Sequence, residues 1–299
     1  MTRNGKITAT LLAATIAAVG CTKDKSSQTE NNEPQRSAKV VPVSMPIPAT
    51  DKPTDVTPKA SGPVTYADGD ALFQAGKFLE ATQVFEKYTT EKPNNPWGHF
   101  MLGLSESRIG ETEKAEAAFN EALRIDPDHM KSLLNLSRVL IDKGRYDEAI
   151  VKLTHAGEVD PNSAEVPRLL GRTYNAQHKS DDAIVSYRRA IVLDPTDAWS
   201  MNNLGLILIQ KDRSSEAVPL LSKAVELQKN VPTFHNNLGM ALEKTERFKA
   251  AASEYKEALV ADPNNAKAKS NLDRIAAVKV GSEESFDREA EAKHAIESK

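Results

Sequence analysis

One cysteine, Cys21, in 299 residues leaves no disulfide scaffold and no cysteine-based zinc site. No apolar run reaches the roughly 18 residues of a membrane-spanning helix, so a multi-span membrane protein is excluded as well. Charge of either sign is not in excess: 39 Lys+Arg stand against 42 Asp+Glu, a net charge of −3. With no basic patch in the sequence, no nucleic-acid partner is expected. No Gly-rich phosphate loop, no Gly-x-Ser-x-Gly elbow and no strand pattern to carry either is present. We therefore expect no catalysis, no cofactor, no metal and no small-molecule substrate.

What is there begins at the N-terminus. Arg3 and Lys6 precede an uncharged stretch, Ile7 to Val19, which Gly20 and Cys21 follow, the layout of a cleaved signal peptide over residues 1–20. Thirteen helical residues span about 20 Å, short of the roughly 30 Å hydrocarbon core, so a permanent span is the weaker alternative. Ala18-Val19-Gly20-Cys21 resembles the lipobox of bacterial lipoproteins. That resemblance implies a lipidated (palmitate-bearing) Cys21 and, with Thr22 rather than Asp next, an outer-membrane anchor facing the periplasm. The alternative is a soluble periplasmic protein with an incidental cysteine. Residues 21–61 hold six prolines and no aromatic residue, and read as a disordered tether.

Beyond the tether the prolines become periodic. Pro93, Pro127, Pro161, Pro195 and Pro263 are 34, 34, 34 and 68 residues apart, with Lys229 in the skipped position. Six windows follow, 62–95, 96–129, 130–163, 164–197, 198–231 and 232–265. A small residue recurs at Gly69, Gly103, Ser137, Gly171, Gly205 and Gly239, and alanine at Ala81, Ala115, Ala149, Ala183, Ala217 and Ala251. Four residues after each alanine stands a large one: Phe85, Phe119, Leu153, Tyr187, Leu221 and Tyr255. This pattern resembles the tetratricopeptide repeat (TPR). The resemblance implies an all-α, right-handed superhelical solenoid of six helix-turn-helix units, each too small to bury its own apolar face and so stacked on its neighbours. Residues 266–280 continue the first-helix pattern as a cap, and 281–299, with six acids and three bases, read as a polar tail, solvated or loosely helical, rather than as a docking element. Asp68 in a position usually held by Leu, and Pro219 inside a second helix, lead us to expect the first and fifth units to be the less regular ones. The six histidines fall in different positions of the repeat, apart from His99 and His235 four repeats apart, and do not converge on a metal site.

In TPR proteins one face of each first helix lines a concave groove, and in this register that face carries Trp97, Phe100, Asn135, Arg138, Arg168, Arg172, Trp199, Asn202, Asn203, Asn236, Asn237 and Met240. Trp and Arg are frequent interface anchors. Asn135, Asn203 and Asn237 share one position, similar to the asparagine ladder in the TPR superhelix of O-linked N-acetylglucosamine transferase, where amides can hold a peptide backbone. The alternative for these residues is packing between adjacent first helices. The carboxylate clamp of chaperone-binding TPRs is absent: Phe100, Leu104, Glu165 and Leu169 fill the needed positions. We read a non-catalytic scaffold for a protein or extended peptide, lipid-anchored in a bacterial envelope and resembling the pilotins that bring secretin subunits of type IV pilus machines to the outer membrane. An accessory subunit of a cell-wall or export enzyme complex, and a cytosolic TPR adaptor, are the alternatives.

Overall fold

The computed structural model describes residues 63–276 and 286–297; the signal segment, Cys21 and the tether lie outside the described residues. Among them are fourteen helices and no strand. In chain order these are α1 (Tyr66–Gln74), α2 (Phe78–Glu91), α3 (Pro96–Arg108), α4 (Thr112–Ile125), α5 (Met130–Asp142), α6 (Tyr146–Val159) and α7 (Glu165–Ala176). They continue with α8 (Ser180–Leu193), α9 (Ala198–Gln210), α10 (Ser214–Leu227), α11 (Pro232–Lys244), α12 (Phe248–Ala261), α13 (Ala266–Ala276) and α14 (Arg288–Glu297). Each odd helix from α1 to α11 packs on the helix that follows it, each even helix up to α12 on the first helix of the next unit, and α1, α3 and α5 also meet the next odd helix, as do α9 and α11. The fold is therefore an all-helical array of six helical hairpins with α13 stacked on the last.

Close approach within each hairpin depends on the small residue. A Cβ added to Gly69 would lie 2.6 Å from the Phe85 ring, and one added to Gly239 would lie 2.5 Å from that of Tyr255, in both cases inside contact distance of a fully buried side chain. Five repeats use glycine there. The third uses Ser137, whose Oγ donates to the Leu133 carbonyl at 2.7 Å, and opposite it stands Leu153 instead of an aromatic ring. The buried apolar side chains form two runs, one from α1 to α7 and one from α8 to α13.

The turn inside each hairpin is one device repeated six times. Residues 76, 110, 144, 178, 212 and 246, each 34 after the last, adopt positive φ: Gly76, Gly110 and Gly144 at +75°, +84° and +73°, then His178, Asp212 and Glu246 at +60°, +56° and +63°. The residue after each donates its N–H back to a carbonyl five earlier, as Lys77 does to Leu72 at 3.0 Å and Arg247 to Leu242 at 2.9 Å, closing a Schellman turn. Between hairpins the Asp-Pro steps end a helix, and the aspartate accepts the N–H two residues on: Asp160 from Asn162 at 3.0 Å, Asp194 from Thr196 at 2.9 Å.

The irregularities have local causes. Asp68 is the N3 partner of the Thr65 N-cap in a capping box: Thr65 N donates to its Oδ2 at 2.9 Å, Asp68 N donates to Thr65 Oγ1 at 3.2 Å, and α1 starts late with nine residues. Pro219, expected to disturb the fifth unit, leaves α10 at 14 residues, the length of α4, α6, α8 and α12, because one missing N–H does not outweigh the packing of that helix. The segment 281–299, expected to be a solvated tail or a loose helix rather than a docking element, contains α14, which packs along α10 with Ala292 fully buried. Its alanines lack the bulk that marks a docking face in a sequence, yet their smallness is what lets the two helices come close.

Candidate functional site

The first-helix face divides into two chemically different halves. In the second to fourth repeats it is cationic. Arg108, at the end of α3, lies over the Phe73 ring, 5.8 Å from its centroid. Arg138 in α5 bonds Glu165 at the start of α7, and Arg168 in α7 sits 3.8 Å from the same carboxylate and 3.6 Å from Asp197. Arg172, one turn further along α7, donates to Asp142 at 2.5 Å. Burial, followed by the neighbouring guanidiniums of Arg168, Arg172 and Arg108, holds the pKa of Arg138 down to about 10. Four guanidiniums thus share one neighbourhood with Glu165, Asp142 and Asp197. Asp197 is already committed to capping α9 through Ser200 N at 3.1 Å and Ser200 Oγ at 2.6 Å.

The same half carries an aromatic corner at the start of α3. Trp97 at the start of α3 is 43% exposed and stands edge-on to Phe100 and His129, with ring centroids 5.9 and 4.6 Å away, while Lys131 Nζ is 5.1 Å from its own ring. Phe100 itself is buried against Phe119 and so supports Trp97 without being presented. His129 is buried, its Nδ1 bonded to Ser132 Oγ at 2.8 Å and its Nε2 without a partner, and burial pushes its pKa down, so a neutral ring is favoured among the aromatics. Asn135 is turned to its own helix, donating to the Lys131 carbonyl at 2.8 Å, with Arg138 3.5 Å from its oxygen.

The second half is a relay of amides. Asn271 Nδ2 donates to Asn236 Oδ1 at 3.0 Å, Asn236 to Asn237 at 3.4 Å, Asn237 to Asn202 at 2.9 Å and Asn202 to Asn203 at 3.2 Å. Asn203 ends it on the Tyr187 hydroxyl at 3.4 Å. Each amide gives one N–H and takes one bond, and the chain crosses from α13 through α11 and α9 to α8. Asn202, Asn236 and Asn237 are buried, which removes them from the surface open to a peptide; Asn203 is half-buried. Met240 lies alongside, its sulfur 3.5 Å from Asn236 Nδ2, and Trp199 is half-buried edge-on to Phe234 at 4.9 Å. The structure thus gathers Trp97, Arg138, Arg168 and Arg172 in one half and turns the asparagines inward in the other.

Three contributors escape a reading of the groove positions alone. Arg108 has no arginine counterpart at its position in the other repeats, which hold Gln74, Asp142, Ala176, Gln210 and Lys244. Tyr187 serves the core with its ring and the relay with its hydroxyl. Asn271, by contrast, lies 34 residues after Asn237, so extending the period into the cap finds it. Among the described residues no group of three or more His, Cys, Asp or Glu is placed to hold a metal ion, and no helix is long and apolar enough to cross a membrane.

Comparison with known proteins gives this geometry a context. Residues 35–299 match the family model described as the Cilia and flagella-associated protein 70 C-terminal domain, a TPR domain. No curated protein matches the sequence. Among solved structures, the chain is similar to one in the Cut9–Hcn1 hetero-tetramer of the APC/C, with a TM-score of 0.61 and 20% identity over 70% of this chain; it spans only 41% of that one. It is also similar to pilF of Pseudomonas aeruginosa, with a TM-score of 0.56, 22% identity and coverage of 68% of this chain and 87% of that one. YrrB, a TPR protein described as having an unusual peptide-binding site, follows at a TM-score of 0.51 and 19% identity, over 63% of this chain and 97% of its own. At these identities the likeness is one of fold.

Proposed function

Because the chain belongs to the TPR family, in the group described by the Cilia and flagella-associated protein 70 C-terminal domain, we propose that it is a non-catalytic scaffold whose first-helix face in the second to fourth repeats holds an extended acidic segment of a partner protein. The observation that carries this is the gathering of Arg108, Arg138, Arg168 and Arg172. Their side chains, 24–38% exposed for the last three, are near enough to one another that an arriving carboxylate relieves repulsion as well as gaining charge-assisted hydrogen bonds. Trp97 supplies an exposed aromatic surface in the same half of the array, where a side chain of the segment can pack. Affinity capture with the full chain as bait, followed by titration of the captured partner, tests this. Arg138→Ala with Arg172→Ala should weaken binding by about tenfold or more and flatten its salt dependence, since anchor residues typically contribute about 2 kcal/mol. Unchanged affinity at low salt would remove the arginines from the interface.

We further propose that the mature chain is lipid-anchored through Cys21 in a bacterial outer membrane, faces the periplasm and assists assembly of an envelope complex. The support for this is in the sequence: basic Arg3 and Lys6, the uncharged Ile7–Val19 stretch, and Ala18-Val19-Gly20-Cys21. Cys21→Ser should move the protein from the membrane to the soluble fraction, and unchanged fractionation would refute the lipid anchor.

A further inference from the structure

The C-terminal helix α14 marks a second surface, on the side of the array formed by the second helices. Ser222 in α10 is fully buried, whereas the residues at the same position of the other second helices, Glu86, Asn120, Thr154, Arg188 and Lys256, are all exposed. The difference is α14, which runs along α10 with Ala292 fully buried and Ala295 nearly so. Its first turn reaches α12. Arg288 Nη1 donates to Glu254 Oε1 at 3.0 Å, and Arg247, just before α12, donates to Glu291 Oε1 at 2.7 Å while its guanidinium lies over the Phe286 ring at 5.9 Å.

The acceptor for Arg288 is not a passing surface carboxylate. The Glu254 side chain is 6% exposed, and its other oxygen is held by His235 Nδ1 at 2.7 Å. His235 Nε2 in turn faces the Lys229 carbonyl at 2.8 Å, so both ring nitrogens point at acceptors and the imidazolium form is favoured. Shape and charge therefore both select what lies on α10. Small side chains permit the close approach, and an arginine followed three residues later by a glutamate, against a glutamate and an arginine on the receptor side, fixes direction and register.

The hold is nonetheless light. Ten residues fall short of the roughly 12–15 that a helix needs to persist alone, and among the described side chains of α14 the buried ones are two alanines, Ala292 and Ala295. Such a segment is helical because it is seated, as in coupled folding and binding. We propose that the second-helix face of α10 and α12 is a docking site for a short alanine-faced helix with an arginine in its first turn and a glutamate three residues on, filled in cis by α14 and open to the same segment of a second copy. The cis copy wins ordinarily because its tether keeps it at high effective concentration.

Two variants of the full chain test this. Ala292→Glu puts a charge on the ligand face and leaves the seat intact; Ser222→Glu spoils the seat with a residue type that α2 already carries at that position, and leaves the ligand intact. In each variant alone, amide hydrogen exchange over 286–297 should accelerate tenfold or more while the repeats keep their protection. Mixed, they should form a complex in sedimentation that neither forms alone, because the intact helix of one fits the intact seat of the other. Adding Arg288→Glu to the Ser222→Glu chain should abolish that complex. Retained protection of 286–297 in both variants, a mixture that fails to associate, or a complex indifferent to Arg288→Glu would each overturn the proposal.

Discussion

Glu106 is the most informative residue to change, because it breaks the repeat's own rule. Its position is filled by Leu72, Leu140, Tyr174, Leu208 and Leu242 in the other five units, and it is itself only 3% exposed with Oε2 lacking any hydrogen-bond partner. Burial first, then the nearby Glu86 carboxylate, pushes its pKa up to about 7 from 4.5. A carboxyl whose folded pKa exceeds its unfolded one binds its proton more tightly when folded. The cost of ionising it is therefore absent below about pH 4.5, grows between 4.5 and 7, and is complete above 7. A shift of that size corresponds to about 3 kcal/mol. Glu106→Gln, which cannot ionise, should then match the wild type near pH 4.5 and exceed it by up to about 3 kcal/mol at pH 8, or roughly 5–10 °C in melting temperature for a domain of this size. Glu106→Leu should add the hydrophobic gain of its sister positions. Thermal melts of the three proteins from pH 4.5 to 8 read this directly. A difference between Glu106→Gln and wild type that stays constant across that range would show that the carboxyl does not titrate there.

Three further outcomes follow from the repeat geometry. Glu246 at φ +63° stands where the first three repeats have glycine, so Glu246→Gly should raise stability by about 0.5–1 kcal/mol, while Gly110→Ala at φ +84° should lower it by a similar amount; paired melts check both. Gly239→Ser should cost about 1–3 kcal/mol against the Tyr255 ring, and combining it with Tyr255→Leu, which copies the Ser137–Leu153 pair of the third repeat, should recover part of the loss; additive effects in the double-mutant cycle would refute the contact. Asn237→Ala should cost about 1–3 kcal/mol by orphaning Asn202 and Asn236, with clear coupling to Asn202→Ala in denaturant unfolding.

The fold is legible in the sequence because the TPR constraint acts within a few turns of helix. Gly205 must be small since Leu221, sixteen residues on, fills the space its side chain would take, and the same relation recurs at fixed spacing down the array. Asp160-Pro161 ends a helix within three residues, the proline restricting the backbone before it and the aspartate side chain accepting the Asn162 N–H. The positive-φ turn is only half legible: Gly76, Gly110 and Gly144 announce it, His178 and Asp212 are residue types that enter this conformation more often than most, and Glu246 occupies it with nothing in its identity to say so. There the surrounding packing imposes on an ordinary residue a backbone that it would not choose. The seating of α14 is illegible for the opposite reason. Ala292 and Ser222 are seventy residues apart, and neither carries the bulk by which a sequence shows a buried face.

The groove positions show how one register can serve two ends. Asn203 and Asn237 occupy the position that Asn135 holds two and three repeats earlier, yet Asn135 bonds its own helix while the other two join a relay. The difference lies in the neighbours. Where α9 and α11 each carry a second asparagine beside the first, amide meets amide across the interface, and every bond made inside the array is one less available outside it. Where α5 and α7 instead carry Arg138 and Arg172 one turn further on, like charges meet like, and the array answers them from within with Glu165 and Asp142. The amides thus spend their hydrogen bonds inside the C-terminal half, while four guanidiniums share three carboxylates in the N-terminal half, which is why the proposed recognition rests on the arginines and not on the asparagines that resemble a peptide-binding ladder.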